Sequence, residues 1–269
     1  MSHGVDVEAL AREGFSEVSF VEQAALVALQ ALVAASFPCP PTEWHLRPAS
    51  FEEHIALVAR TTDAIAKSSL VPRLVRDNIA LLLPVFGPSV DVQTVPHLRV
   101  SRPSVEGDFV DWHRDTFYGN MPSELNLWFP LFPIREGAGL RLLPGSHLER
   151  SAHVREAVET NADRRTVERG SAAARIGYTY LPKIDDTIAT LDVERTRLLA
   201  PKLGGAVLFF GHMVHRAQNA SPETRVSIDT RIKSSHAPTG TKPGYYTPLC
   251  RGPIETCASR LQGGEEPAP

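Results

Sequence analysis

The sequence predicts a mainly β protein with flanking α-helices, and three observations carry that expectation. Residues before position 88 show helical periodicity and helix start signals. From position 89 the apolar segments shorten, gain β-branched and aromatic residues, and are separated by proline or glycine. The stretch 224–232 alternates Val226, Ile228, Thr230 and Ile232 with Arg225, Ser227, Asp229 and Arg231, the period-two pattern of a strand with one polar face. A polar strand face turned into a barrel commonly binds something.

Taken in order, Ser19 and Glu22 have the spacing of a capping box in front of an apolar helix over 24–37. Ser50 and Glu53 form a second, in front of a helix carrying Ile55, Val58, Thr62 and Ile65. A third helix is expected over 71–83, with Pro72 in its first turn and Pro84 closing it. Strands are expected at 90–95, 98–102, 109–113, 125–131, 139–143, 206–210 and 224–232. Between 149 and 199 the chain is charged and weakly patterned, with a helix suggested over 153–161; an excursion between core strands reads as a lid over a site. The tail 260–269 is expected to be disordered.

At 269 residues the chain fits one domain. Residues 1–88 form a helical region packed on a β core built from 89–148 and 200–235, with 149–199 as the insertion. A hydrophobic content of 42% and a net charge of -3 give no reason to expect nucleic acid or membrane as partner. Asp6, Glu8 and Glu13 stand where a signal peptide would be basic, and no apolar stretch is expected to reach membrane-spanning length, so the protein reads as cytoplasmic. Cys39, Cys250 and Cys257 lack zinc spacing and read as free thiols in a reducing compartment.

The chemistry is expected from His113, Asp115, His215 and Arg225. On a strand, positions i and i+2 share a face, so His113 and Asp115 reach one metal while Arg114 points away. Two imidazoles and one carboxylate suit Fe(II) and leave coordination positions open, the mark of a catalytic metal. His215 lies just past the apolar strand 206–210, and Arg225 with Ser227 offers a guanidinium fork and a hydroxyl for a carboxylate. His212 is a rival for the distal ligand; the spacing to Arg225 favours His215.

These residues, with the run 111–115 (Asp-Trp-His-Arg-Asp), the segment 124–131, the Pro-Gly-Ser-His turn at 144–147 and the series His215, Asn219, Ser221, Arg225, resemble the phytanoyl-CoA dioxygenase-like family of Fe(II)/2-oxoglutarate-dependent oxygenases. The resemblance covers about 89–232 and implies His113, Asp115 and His215 as iron ligands. It implies Arg225 and Ser227 as the 2-oxoglutarate clamp, with Asn126 touching the same cosubstrate, and a structural role for His147. Arg216 stands where many relatives have glycine. Related halogenases replace the metal carboxylate by a small residue, whereas Asp115 is kept here, which disfavours halogenation.

The resemblance further implies O2 as second cosubstrate and oxidation of a small-molecule C–H bond, most simply hydroxylation, with release of succinate and CO2. A sugar-like or other natural-product intermediate is the substrate class it points to. Two alternatives stay open: another cupin-like metalloenzyme, a hydrolase or isomerase, and a barrel that only binds a small molecule. The Arg225–Ser227 pair argues against both. The expected core is a double-stranded β-helix, jelly-roll and cupin-like, with the metal near one open end.

Overall fold

Alternation along the strands sorts the side chains of one large sheet onto two faces, and each face builds its own core. A computed structural model of the chain describes residues 4–118, 120–149, 154–156, 165–166, 179–180, 183–238 and 244–253. The large sheet contains β1 (Phe15–Ser19), β2 (Val90–Gln93), β3 (His97–Ser101), β4 (Leu125–Pro130), β11 (Gly205–Phe210), β13 (Arg225–Ser234) and β14 (Tyr246–Cys250). Its order is β1-β11-β4-β13-β2-β14, with β3 also paired to β13. A smaller sheet has β5 (Ala138–Leu142) between β10 (Arg197–Leu199) and β12 (His215–Asn219). Two short pairs complete the set, β6 (Val154–Glu156) with β9 (Lys183–Asp185), and β7 (Arg165–Thr166) with β8 (Thr179–Tyr180). All of these pairings are antiparallel.

One face of the large sheet, with Leu127, Phe129, Leu208, Val226 and Ile228, packs under helices α2 (Ala24–Ser36), α3 (Phe51–Ser68) and α4 (Leu70–Asp77). Leu29, Val33 and Leu74 are buried there, each contributing about 1.5–3 kcal/mol. The other face meets the small sheet through Phe15, Trp128, Leu140, Leu142, Val207 and Phe209. Two facing sheets with helices on one outer side are the mainly β, jelly-roll architecture expected from the sequence.

Several local expectations are corrected. Ser19 is not a helix cap, because it ends β1 and pairs with Gly205 of β11. The amides of Val21 and Glu22 instead donate to Asn78 Oδ1, 2.8 and 3.0 Å away. The second capping box is complete, with Ser50 and Glu53 bonded reciprocally. The helix expected over 71–83 stops at Asp77, where Asn78 turns its side chain back to the chain near Glu22; Pro84 then sits in the first turn of α5 (Leu83–Phe86) rather than closing a helix. The N-terminal region is not purely helical, since α1 (Val7–Glu13) leads into β1.

No strand forms over 109–113; His113 alone bridges to His215. In the stretch 153–161 the described residues 154–156 are strand β6, not helix, and residues 197–199 belong to the small sheet rather than to an insertion. Apart from β6, β7 and β8, the excursion between 150 and 182 lies outside the described residues, as do Cys257 and the tail 260–269. Contrary to expectation, Ala24–Leu46 is long and apolar enough to cross a membrane, with mean hydropathy 1.5. Here it is broken after Ser36, and Leu26, Leu29 and Val33 pack into the core. Cys39 and Cys250 are free thiols.

Candidate active site

The site begins with two backbone hydrogen bonds that tie two loops together. His113 N donates to His215 O at 3.1 Å and His215 N to His113 O at 3.0 Å, so the two histidines face each other with ring centroids 4.2 Å apart. Asp115, first residue of a 3-10 turn (Asp115–Tyr118), donates its amide to Gly211 O at 2.8 Å. The i and i+2 argument therefore holds in outcome but not in cause: a bridge and a turn, not a strand, bring His113 and Asp115 to one point.

Asp115 Oδ1 lies 3.4 Å from His113 Nε2 and 3.7 Å from His215 Nε2, and one ligand atom from each of the three residues falls within 4.8 Å of the others. The remaining ring nitrogens face carbonyl oxygens, which only accept. His113 Nδ1 donates to Asp111 O at 2.6 Å and His215 Nδ1 to Met213 O at 2.9 Å. That assignment leaves both Nε2 lone pairs turned to the common point, the tautomer a metal needs. Burial, then the neighbouring His113, lowers the His215 imidazole to about 4, so it is neutral and able to ligate at neutral pH. Burial opposes ionisation of Asp115, yet Arg231 and the two histidines hold its carboxyl well below the usual range. The donor set fits a divalent metal.

The second oxygen of Asp115 is fixed separately. Asn126 Nδ2 donates to Oδ2 at 2.6 Å and the Arg231 guanidinium at 2.5 Å, leaving Oδ1 for the metal. Arg231 also reaches Asp229, which pairs with Arg99. Sequence reasoning did not single out Arg231 for a role, although the polar face of β13 contained the signal. His212, the rival ligand, turns away: Thr116 Oγ1 lies 2.9 Å from its Nδ1, and it is not in the three-residue cluster.

Further along the same face of β13, Arg225 is 4% exposed. It donates to Ser101 Oγ at 2.8 Å and Ser227 Oγ at 3.4 Å, and its guanidinium lies 5.5 Å from the Trp128 ring centroid. Its Nε has no partner, and among the described residues no carboxylate pairs with it. Burial, and then Arg99, lower it to about 10, which still leaves it charged at neutral pH. Ser227 Oγ accepts from Trp128 Nε1 at 3.1 Å as well as from Arg225, so its own proton is available to a ligand. A buried guanidinium without an anion is costly unless a ligand supplies one. His147 is stacked on Phe210 and bonded to Ala11 O, apart from the cluster.

Comparisons with known proteins bear on the fold and the family. No curated protein sequence matches the chain. Among solved structures, the apo form of the non-heme monooxygenase ThoJ has a TM-score of 0.54 at 15% identity, over 91% of this chain and 83% of that one. EvdO2 from Micromonospora carbonacea var. aurantiaca, complexed with 2-oxoglutarate, gives 0.54 at 16% identity, over 89% and 94%. SnoK, a non-heme alpha ketoglutarate dependent carbocyclase from nogalamycin biosynthesis, gives 0.50 at 16% identity, over 98% and 92%. At such identities the likeness shows a common fold. The Phytanoyl-CoA dioxygenase (PhyH) family model matches residues 18–227.

Proposed function

The chain belongs to the phytanoyl-CoA dioxygenase family of Fe(II)/2-oxoglutarate-dependent non-haem iron enzymes, and from that premise we propose that it oxidises a C–H bond of a small natural-product intermediate, by hydroxylation in the simplest case. When bound, Fe(II) with 2-oxoglutarate and O2 supplies the oxidising power, and the cosubstrate leaves as succinate and CO2. His113, Asp115 and His215 hold the metal. Arg231 and Asn126 keep Asp115 turned so that one oxygen ligates. Arg225, Ser227 and Ser101 receive the far carboxylate of 2-oxoglutarate, with Trp128 orienting the Ser227 hydroxyl. Asn126 thus serves the metal carboxylate through one Nδ2 proton, and a contact to the cosubstrate falls to the other, because Oδ1, like the oxygens of the oxo-acid, only accepts.

The observation that carries this reading is the buried Arg225, without a carboxylate partner among the described residues and flanked by two serine hydroxyls on the face that also presents Arg231 to Asp115. A hydrolase or isomerase on this barrel has no use for it. A neighbour named for a monooxygenase supports the kind of reaction and one named for nogalamycin biosynthesis the substrate class. The test is succinate formation from 2-oxoglutarate with Fe(II) and O2. Arg225→Ala is expected to weaken 2-oxoglutarate by roughly 2–5 kcal/mol, thirtyfold or more, at unchanged Fe(II) affinity. Unchanged 2-oxoglutarate affinity would remove the clamp.

A further inference from the structure

Between the two candidate ligands of the metal loop stands Arg114, a fully buried arginine whose side chain the site does not use. It points away from the metal and spends its donors on four residues of three segments, the turn 146–149, the loop at His212 and the end of β9 at Asp185. Nε donates to Asp185 Oδ2 at 2.7 Å, NH1 to Ser146 O at 2.7 Å and to His212 O, and NH2 to Glu149 Oε2. Ser146 belongs to the Pro-Gly-Ser-His turn, and its hydroxyl accepts from Val214 N at 3.0 Å. His212 belongs to the loop whose Gly211 O holds Asp115 N and whose Met213 O holds His215 Nδ1.

Glu149 and Asp185 are the two ends of the excursion between core strands. They are joined directly as well: Thr187, in the short helix α6 (Asp186–Ala189), donates its hydroxyl to Glu149 Oε2 at 2.6 Å and its amide to Asp185 Oδ1 at 3.0 Å. One guanidinium therefore ties both ends of the 149–185 excursion to both ligand-bearing loops. Five N–H donors in a rigid plane can satisfy such a constellation, and a lysine cannot.

We propose that Arg114 is a positioning residue through which docking of the ends of the excursion, at Glu149 and Asp185, and assembly of the metal centre are coupled. The inference rests on the metal reading given above. Because Arg114, Ser146 and Asp185 are buried and Glu149 is only partly exposed, loosening one arm shifts the loops that carry His113, Asp115 and His215. Outer partners of this kind commonly change metal affinity by about 10–100-fold. Coupling is reciprocal, so metal must also stabilise the docked ends.

The test compares wild type, Arg114→Lys and Asp185→Asn, the last touching none of the ligands. Fe(II) affinity, the visible absorption of the Fe(II)–2-oxoglutarate complex, and tryptic cleavage after the arginines between 150 and 182 are measured, with circular dichroism melting of the apo-proteins as the fold control. Expected are roughly tenfold weaker Fe(II) binding in both variants, an altered absorption band, and slowing of cleavage by Fe(II) with 2-oxoglutarate in wild type that is lost in Arg114→Lys. Faster cleavage with wild-type Fe(II) affinity and an unaltered band would reduce Arg114 to an anchor and overturn the proposal alone. No Fe(II) binding by wild type would overturn the metal reading and this inference with it.

Discussion

At the residue scale the site is a problem of holding one carboxylate in one orientation. Asp115 has two oxygens, and the protein occupies Oδ2 with Arg231 and Asn126 so that Oδ1 lies between the two Nε2 atoms. The opposite charge of Arg231 also offsets the cost of burying the carboxylate. Arg231→Met is therefore expected to lower Fe(II) affinity by about 10–100-fold while leaving His113 and His215 in place, as measured by Fe(II) titration. Unchanged affinity would show that the two imidazoles and Asn126 suffice to orient Asp115. His113 and Asp115 came into view because ligand types two residues apart are visible in sequence, and His215 because it follows the apolar strand 206–210 and precedes Arg225 by ten residues. Arg231 was harder to single out, because its role depends on which residue stands opposite β13, and pairing across strands is not written in local pattern.

Elements were legible where local signals act alone and less so where tertiary pairing decides. Both halves of the Ser50 capping box form, whereas Ser19 is drawn into β1 by pairing with β11, and Asn78, 57 residues from Val21, takes over. Ser50→Ala should cost about 1 kcal/mol and lower the melting temperature by about 2 °C. Ser19→Ala should leave it unchanged. Asn78→Ala removes four hydrogen bonds from a buried position and should cost about 2 kcal/mol or more. Equal effects for the two serines would contradict this division. The strand expected over 109–113 also turned on tertiary pairing: the one backbone bridge formed there is from His113 to His215, the first residue of β12, about a hundred residues away.

On the scale of the whole molecule, two sheets and a helical layer divide the labour. One face of the large sheet is apolar under α2, α3 and α4 and supplies stability. The other carries the apolar seam with the small sheet and, beyond it, the polar row of β13 that runs from Arg225 through Arg231 to Lys233. The period-two pattern of 224–232 foretold that division, since it depends only on the pleat. Within the two main sheets, β1, β10, β12 and β14 had no such signal: they are short or interrupted by polar residues, and the sheets recruit them by pairing.

We propose that His113, Asp115 and His215 hold the metal and that Arg225 with Ser227 receives the far carboxylate of an oxo-acid bound there. The most direct test is an anaerobic optical titration of the apo-protein with Fe(II) and then 2-oxoglutarate. A visible metal-to-ligand charge-transfer band is expected in wild type and is expected to be absent in Asp115→Ala; iron binding by wild type without that band would contradict the oxygenase reading and leave another metalloenzyme in its place.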